Sequence, residues 1–134
     1  MASICEEAAD TLMDFLFNQV VPSAPADLYL GLSTADPLGD GTGLSEPSGG
    51  SYARVIVDTK FALSVAGVVD SDTLIEFPEA TALWGTMTHW FLADHLTLGT
   101  THILCRGPLG TAKLVTIGDT PRFDVGDLTV TMET

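Results

Sequence analysis

Basic residues are the scarcest resource of this chain. Its 134 residues hold five Lys and Arg against eighteen Asp and Glu, a net charge of −13. With so little positive charge to neutralise phosphates, nucleic-acid binding is excluded as a leading role, and so is attachment to an anionic membrane surface. A basic protein surface or bound cations remain the electrostatic partners such a chain attracts. Cysteine is nearly absent too. Cys5 and Cys105 lie 100 positions apart with no CxxC. That rules out a disulfide scaffold and favours two thiols over one bridge, given reducing conditions at synthesis. No run of 18 apolar residues exists, so no membrane span is expected. The first seven residues, MASICEE, lack the basic start of a secretory signal, and synthesis and retention in the cytosol are expected until the protein joins an assembly. There is no internal repeat, and no alternation of strand and helix to build a parallel nucleotide-binding sheet.

Catalytic motifs are missing as well. No G-x-S-x-G elbow places a nucleophile, and Gly41-Thr42-Gly43 is followed by neither a lysine nor a helix, so no phosphate loop is implied. His89, His95, His102 and Cys105 fall close together, but their spacing fits no standard zinc pattern. Ordinary strand and loop histidines are the favoured reading. Asp36, Asp40 and Glu46 lie among glycines without the oxygen-ligand spacing of a calcium loop; a solvated loop is favoured over a weak cation site. No enzyme activity, cofactor or metal is expected.

What the chain does have is apolar material in short, turn-punctuated runs. Hydrophobic residues make up 46%, enough for a single core and too many for a disordered chain. Ser3 and Glu6 fit a capping box, with Glu6, Glu7 and Asp10 at the positive end of a helix dipole. Ile4, Ala8, Leu12, Phe15 and Leu16 then form one apolar face. This spacing predicts an amphipathic helix over 4–18, ended by Pro22 and Pro25. It serves either as a lid on the β domain, the favoured reading, or as a docking helix. The expected division is helix and linker over 1–25 and a β domain over 26–134.

Strands are predicted over 28–33, 52–58, 61–65, 67–70, 73–77, 84–94, 101–106, 113–117 and 128–132, with Gly107-Pro108-Leu109-Gly110 as a turn. Along 84–94, Trp84, Thr86, Thr88, Trp90 and Leu92 fall on one face and Met87, His89 and Phe91 on the other, by the two-residue period. The tryptophans read as core before they read as a sugar-stacking platform. Many short strands with close turns point to an all-β fold: an antiparallel β-sandwich, jelly-roll-like, with one N-terminal amphipathic helix.

The longest interruption is 34–51, eighteen residues with five glycines and two prolines between two strand patterns. Connections of that length are unusual unless functional or mobile. The expectation is a mobile contact arm, with Asp36, Asp40, Leu44, Glu46, Tyr52 and Arg54 as candidate partner-binding residues.

The segments LYLGLSTADP, GLSEPSGGSYARV, FPEATALWGTMTHWFLAD and the closing GDLTVTM resemble, in order and spacing over about 26–131, a family of small tailed-bacteriophage structural proteins labelled tail-fibre-like or virion proteins. The chain differs at Trp90 and Phe91, where related chains carry smaller residues. The resemblance implies a non-enzymatic virion component. The leading expectation is a capsid decoration (cement) protein binding the major capsid protein as a homo-oligomer, with a trimer at a capsid three-fold as the expected form. The alternative is a tail fibre or baseplate component contacting tail proteins or host glycan.

Overall fold

Elements follow in the order β1 (Ser3–Ile4), α1 (Glu6–Asn18), β2 (Tyr29–Ser33), β3 (Val55–Ile56), β4 (Val68–Asp70), β5 (Ile75–Glu76), β6 (Gly85–Ala93), β7 (Ile103–Val115), β8 (Arg122–Phe123) and β9 (Thr129–Thr131). They come from a computed structural model that describes residues 2–99 and 102–132. The first residue of the strand predicted over 101–106, Thr101, lies outside the described residues. Five strands form an antiparallel sheet in the order β1-β7-β6-β2-β3. Two antiparallel ribbons, β4 with β9 and β5 with β8, complete the strand pairing of the described residues. The fold is an all-β antiparallel sandwich with an N-terminal helix.

β2 explains the layering. All five of its residues are buried, which a strand achieves only when both faces of its sheet are covered. Leu30 and Leu32 point to the larger core, where they meet Val57, Ile75, Phe77, Trp84, Met87, Trp90, Leu92 and Leu128, with Phe123 and Val130 of the ribbons against its edge. Each fully buried leucine contributes about 1.5–3 kcal/mol. The opposite face carries a smaller cluster of Cys5, Phe91, Ala93 and Ile103, against which Leu44 packs from the 34–51 loop. The loop thus roofs the second face of the sheet.

Two glycines make room for the large aromatics of β6. Phe91 is the register partner of Gly31, and Trp90 that of Gly107. A Cβ on Gly31 would lie 2.2 Å from the Phe91 ring, and one on Gly107 2.7 Å from the Trp90 ring. Phe91 is fully buried, and Trp84 and Trp90 are 5% and 4% exposed, so the two tryptophans lie in the interior and offer no sugar-stacking surface.

Several local expectations are corrected. Ser3 and Ile4 do not cap a helix; they pair with Arg106 and Cys105 as an edge strand. Cys5 becomes the N-cap without a side-chain cap. Cys5 N–H donates to the Leu104 carbonyl at 2.9 Å and Glu6 N–H to the Gly39 carbonyl at 3.0 Å, so backbone acceptors satisfy the orphan donors a capping box would have served. The helix ends at Asn18, before either proline, where Gln19 takes a left-handed conformation (φ 58°).

Gly107-Pro108-Leu109-Gly110 is no turn. It lies inside the thirteen-residue β7. Met87 pairs with Lys113 and His89 with Pro108, so four residues of β7, 109–112, stand opposite Thr88 alone. This bulge absorbs the turn-like residues without reversing the chain. The same irregularity resets the facing of β6. Met87 joins Trp90 and Leu92 in the larger core while Phe91 enters the smaller one, and Thr86 is exposed. The strict two-residue period therefore fails at the bulge. The predicted strand 61–65 reduces to single bridges at Phe61 and Val65.

Candidate interaction surface

Of the six partner-binding candidates, three form one buried network. The Arg54 and Glu46 side chains are 0% and 3% exposed. Arg54 Nε and Nη2 donate to the two Glu46 oxygens at 2.9 and 2.7 Å, a fork-to-fork pairing. Tyr52 Oη donates to Glu46 Oε1 at 2.9 Å and accepts from Leu32 N–H at 2.9 Å. Burial first, and the neighbouring Glu46 charge second, drive the Tyr52 phenol well above its ordinary value. Gly99 N–H reaches Glu46 Oε2 at 2.6 Å, Arg54 Nη1 donates to the His95 carbonyl at 2.7 Å, and the guanidinium sits 4.9 Å from the Phe91 ring centroid. This network ties the loop to strand β2 and to the β6–β7 connection.

The other three candidates sit apart from it. Asp36 accepts from Arg106 Nη1 at 2.8 Å and from Leu38 N–H at 2.9 Å. Asp40 is exposed and binds its own loop through Thr42 N–H and Oγ1 at 3.0 and 2.7 Å; those bonds hold its carboxyl below the usual range. Leu44 is half-buried against the smaller core. Ser33 Oγ and Thr34 Oγ1 add further bonds to Ser45. The segment expected to be a free arm is therefore laced to the sheet, because its polar and apolar residues complete the second face of the sandwich.

One apolar surface that lacks cover is on α1 and the turn after it. Ala8, Ala9 and Leu12 are half-buried, and none of the helix is fully buried. Beyond Leu12 the helix leaves the body of the fold. Met13, Phe15, Leu16, Phe17, Val20 and Val21 are 55%, 46%, 65%, 73%, 55% and 82% exposed. Six large apolar side chains are exposed within nine positions at the helix end and the turn after it, a tip of a density that single exposed apolar residues, which are common and mean little, do not reach. The first half of the helix acts as the expected lid; the second half does not. The signal was present in the sequence as FLF followed by VV, a run broader than one amphipathic face requires.

A second cluster lies where β6 runs out. Asp94 Oδ1 is 2.5 Å from His95 Nδ1 and 2.8 Å from His102 Nδ1, and His102 Nε2 is 2.8 Å from Glu7 Oε1 on α1. The hydrogen bond to Asp94 raises the His102 pKa against a smaller opposing effect of burial, with Glu7 adding to the rise. Burial pushes Asp94 up, but the bonds from His102 and His95 hold its carboxyl below the ordinary value. His89 and Cys105, grouped with these residues by sequence proximity, do not join them. His89 faces Asp36 at 4.0 Å, and Cys105 is a buried free thiol, as is Cys5.

No helix among the described residues is long and apolar enough to cross a membrane. A search of curated proteins finds no match. The family model described as Podophage GP4 fiber I protein gp80 matches residues 3–131, from β1 through β9. That span includes the helix tip, the loop and both faces of the sandwich, and on it the chain belongs to this family of tailed-phage fibre proteins.

Proposed function

We propose that this chain is a non-enzymatic subunit of a tailed-phage fibre, anchored in the virion by the apolar tip of α1. The observation that carries the reading is the tip itself: Met13, Leu16, Phe17, Val20 and Val21 exposed together on a protein whose family is described as a fibre protein. Exposed apolar side chains at this density mark a surface that is covered in the assembled particle. The favoured occupant is an apolar groove with a basic rim on another virion protein. Glu6, Glu7, Asp10 and Asp14 line the polar side of α1, the helix carries no basic residue, and the whole chain stands at −13. Bringing copies of the same chain together at this helix would concentrate like charge; a basic neighbour would be attracted.

The capsid decoration role and the trimer at a capsid three-fold have less support, because the family description names a fibre. Gold-labelled antibody against the chain on intact particles distinguishes the two. Label at the tail is expected, and label spread over the head contradicts the fibre reading. The mass of the purified chain in solution separates the occupants. A monomer is expected, and a trimer lost on Phe17→Glu would place a second copy on the tip.

A further inference from the structure

The cluster at the end of β6 lies outside the apolar tip, and its geometry is organised. Two imidazoles and one carboxylate converge, with one donor atom from each of Asp94, His95 and His102 within 4.8 Å of the others. The rings stand edge to face at 5.0 Å between centroids. Both Nδ1 atoms aim at the same oxygen, Asp94 Oδ1. The remaining nitrogen of His102 is bonded to Glu7. A histidine bound to a metal through one nitrogen while its other N–H donates to a carboxylate is the usual arrangement around catalytic and structural ions alike. Beside the cluster lies a recess of about 230 Å³ bounded by Glu6, Glu7, Asp10, Asp40 and His102. Four acidic side chains around it create the negative potential that draws cations. His95 and His102 are 51% and 38% exposed at their side chains, so an ion reaches them from solvent without any opening of the fold.

We propose that Asp94, His95 and His102 bind one divalent transition-metal ion of the zinc class, with Glu7 orienting His102 from its far nitrogen. Two imidazoles and a carboxylate suit zinc, cobalt or nickel, whereas magnesium and calcium demand shells of oxygen. Zinc–nitrogen bonds of about 2.0–2.1 Å in a tetrahedron place neighbouring donors roughly 3.3–3.4 Å apart. The two imidazole nitrogens open slightly from their present hydrogen-bonding distances to Asp94 Oδ1, and water takes the fourth position. Each ring binds as a neutral imidazole with its one remaining proton on Nε2, which on His102 is the proton Glu7 accepts. The ion would fasten the first turn of α1 to the β6–β7 connection and so set the direction in which the apolar tip projects.

The test uses the whole chain with Co²⁺ as an optical probe, then Zn²⁺ as competitor, in the presence of millimolar Mg²⁺. One ion per chain is expected, with the visible bands of four-coordinate cobalt, displaced by zinc and indifferent to Mg²⁺. His95→Ala and His102→Ala should each abolish the bands, and His89→Ala should leave them. Glu7→Gln should weaken binding roughly 10- to 100-fold, as losses of such supporting carboxylates do. In the unmodified protein, Co²⁺ should broaden the imidazole NMR signals of His95 and His102 and spare His89, a readout that does not depend on any variant folding. The proposal is overturned by absence of the bands, by binding that Mg²⁺ abolishes, or by broadening of His89 in place of the other two. In those cases the cluster is only an ion-pair clasp between α1 and the sheet.

Discussion

Replacing Glu46 by alanine removes the one carboxylate that serves the loop, strand β2 and the β6–β7 connection together. Four donors converge on it: Tyr52 Oη, Arg54 Nε, Arg54 Nη2 and Gly99 N–H, at 2.6–2.9 Å. Both charged partners are sealed from solvent, at 0% and 3% side-chain exposure. Taking one member from a buried pair costs about 3–5 kcal/mol, because the other charge keeps its desolvation penalty. At about 4 °C per kcal/mol for a domain of this size, the melting temperature should fall by about 12–20 °C. Trp84 and Trp90 are 5% and 4% exposed, so urea denaturation followed by tryptophan fluorescence reports the transition directly. Arg122 and Asp124 supply the control. Their pair is 3.8 Å apart and more than 60% exposed on both sides, and Asp124→Ala should cost under about 1 kcal/mol. The double variant Glu46→Leu with Arg54→Met should recover most of the loss, since apolar residues of similar volume replace a buried pair at little cost. A Glu46→Ala loss no larger than the Asp124→Ala loss would refute the buried-clamp reasoning and return 34–51 to a free arm.

Further outcomes follow from the same packing. Gly31→Ala should destabilise by about 1–3 kcal/mol, because its new methyl meets the Phe91 ring inside a filled core; the paired variant Gly31→Ala with Phe91→Leu should restore part of it, as measured by the same urea curves. Burial raises the Cys5 and Cys105 thiols to about 11 and about 12 from 9.0. The folded state therefore holds these protons more tightly than the unfolded chain, a contribution fully present below pH 9 and lost as pH rises through the folded values. Stability should decline in alkali above about pH 9, and the decline should shrink in Cys5→Ala. At neutral pH a thiol-reactive dye should label neither cysteine until the protein unfolds.

The sequence carried the central strands plainly. The alternation of Leu30 and Leu32 with Tyr29, Gly31 and Ser33 marked β2, and the long run after Trp84 marked β6, because a two-residue period survives wherever a strand lies flat. It failed where geometry departs from that period. Gly107 resembles a turn glycine, yet it is a glycine because Trp90 lies across it, and only the partner strand reveals that. Ser3 resembles a cap until an open sheet edge offers its backbone a better partner. The candidate site was half visible. Glu46, Tyr52 and Arg54 stood among the six candidate partner-binding residues, but sequence does not tell an inward charge from an outward one, and all three turn inward. The apolar tip was written in Phe15, Leu16 and Phe17, where a lid explains only the half of α1 that packs.

In the proposed reading the sandwich, roofed by its own loop and clamped by Arg54 and Glu46, carries the exposed end of α1 as its handle. Leu16 and Phe17 are 65% and 73% exposed, so changing them to glutamate should alter stability by no more than about 0.5 kcal/mol while removing the apolar contact. The decisive measurement is the number of copies of this chain per particle, by quantitative mass spectrometry, in phage carrying Leu16→Glu and Phe17→Glu. A folded variant that is nearly absent from otherwise complete particles is the predicted result. Incorporation at the unmodified copy number would contradict anchoring through the helix tip.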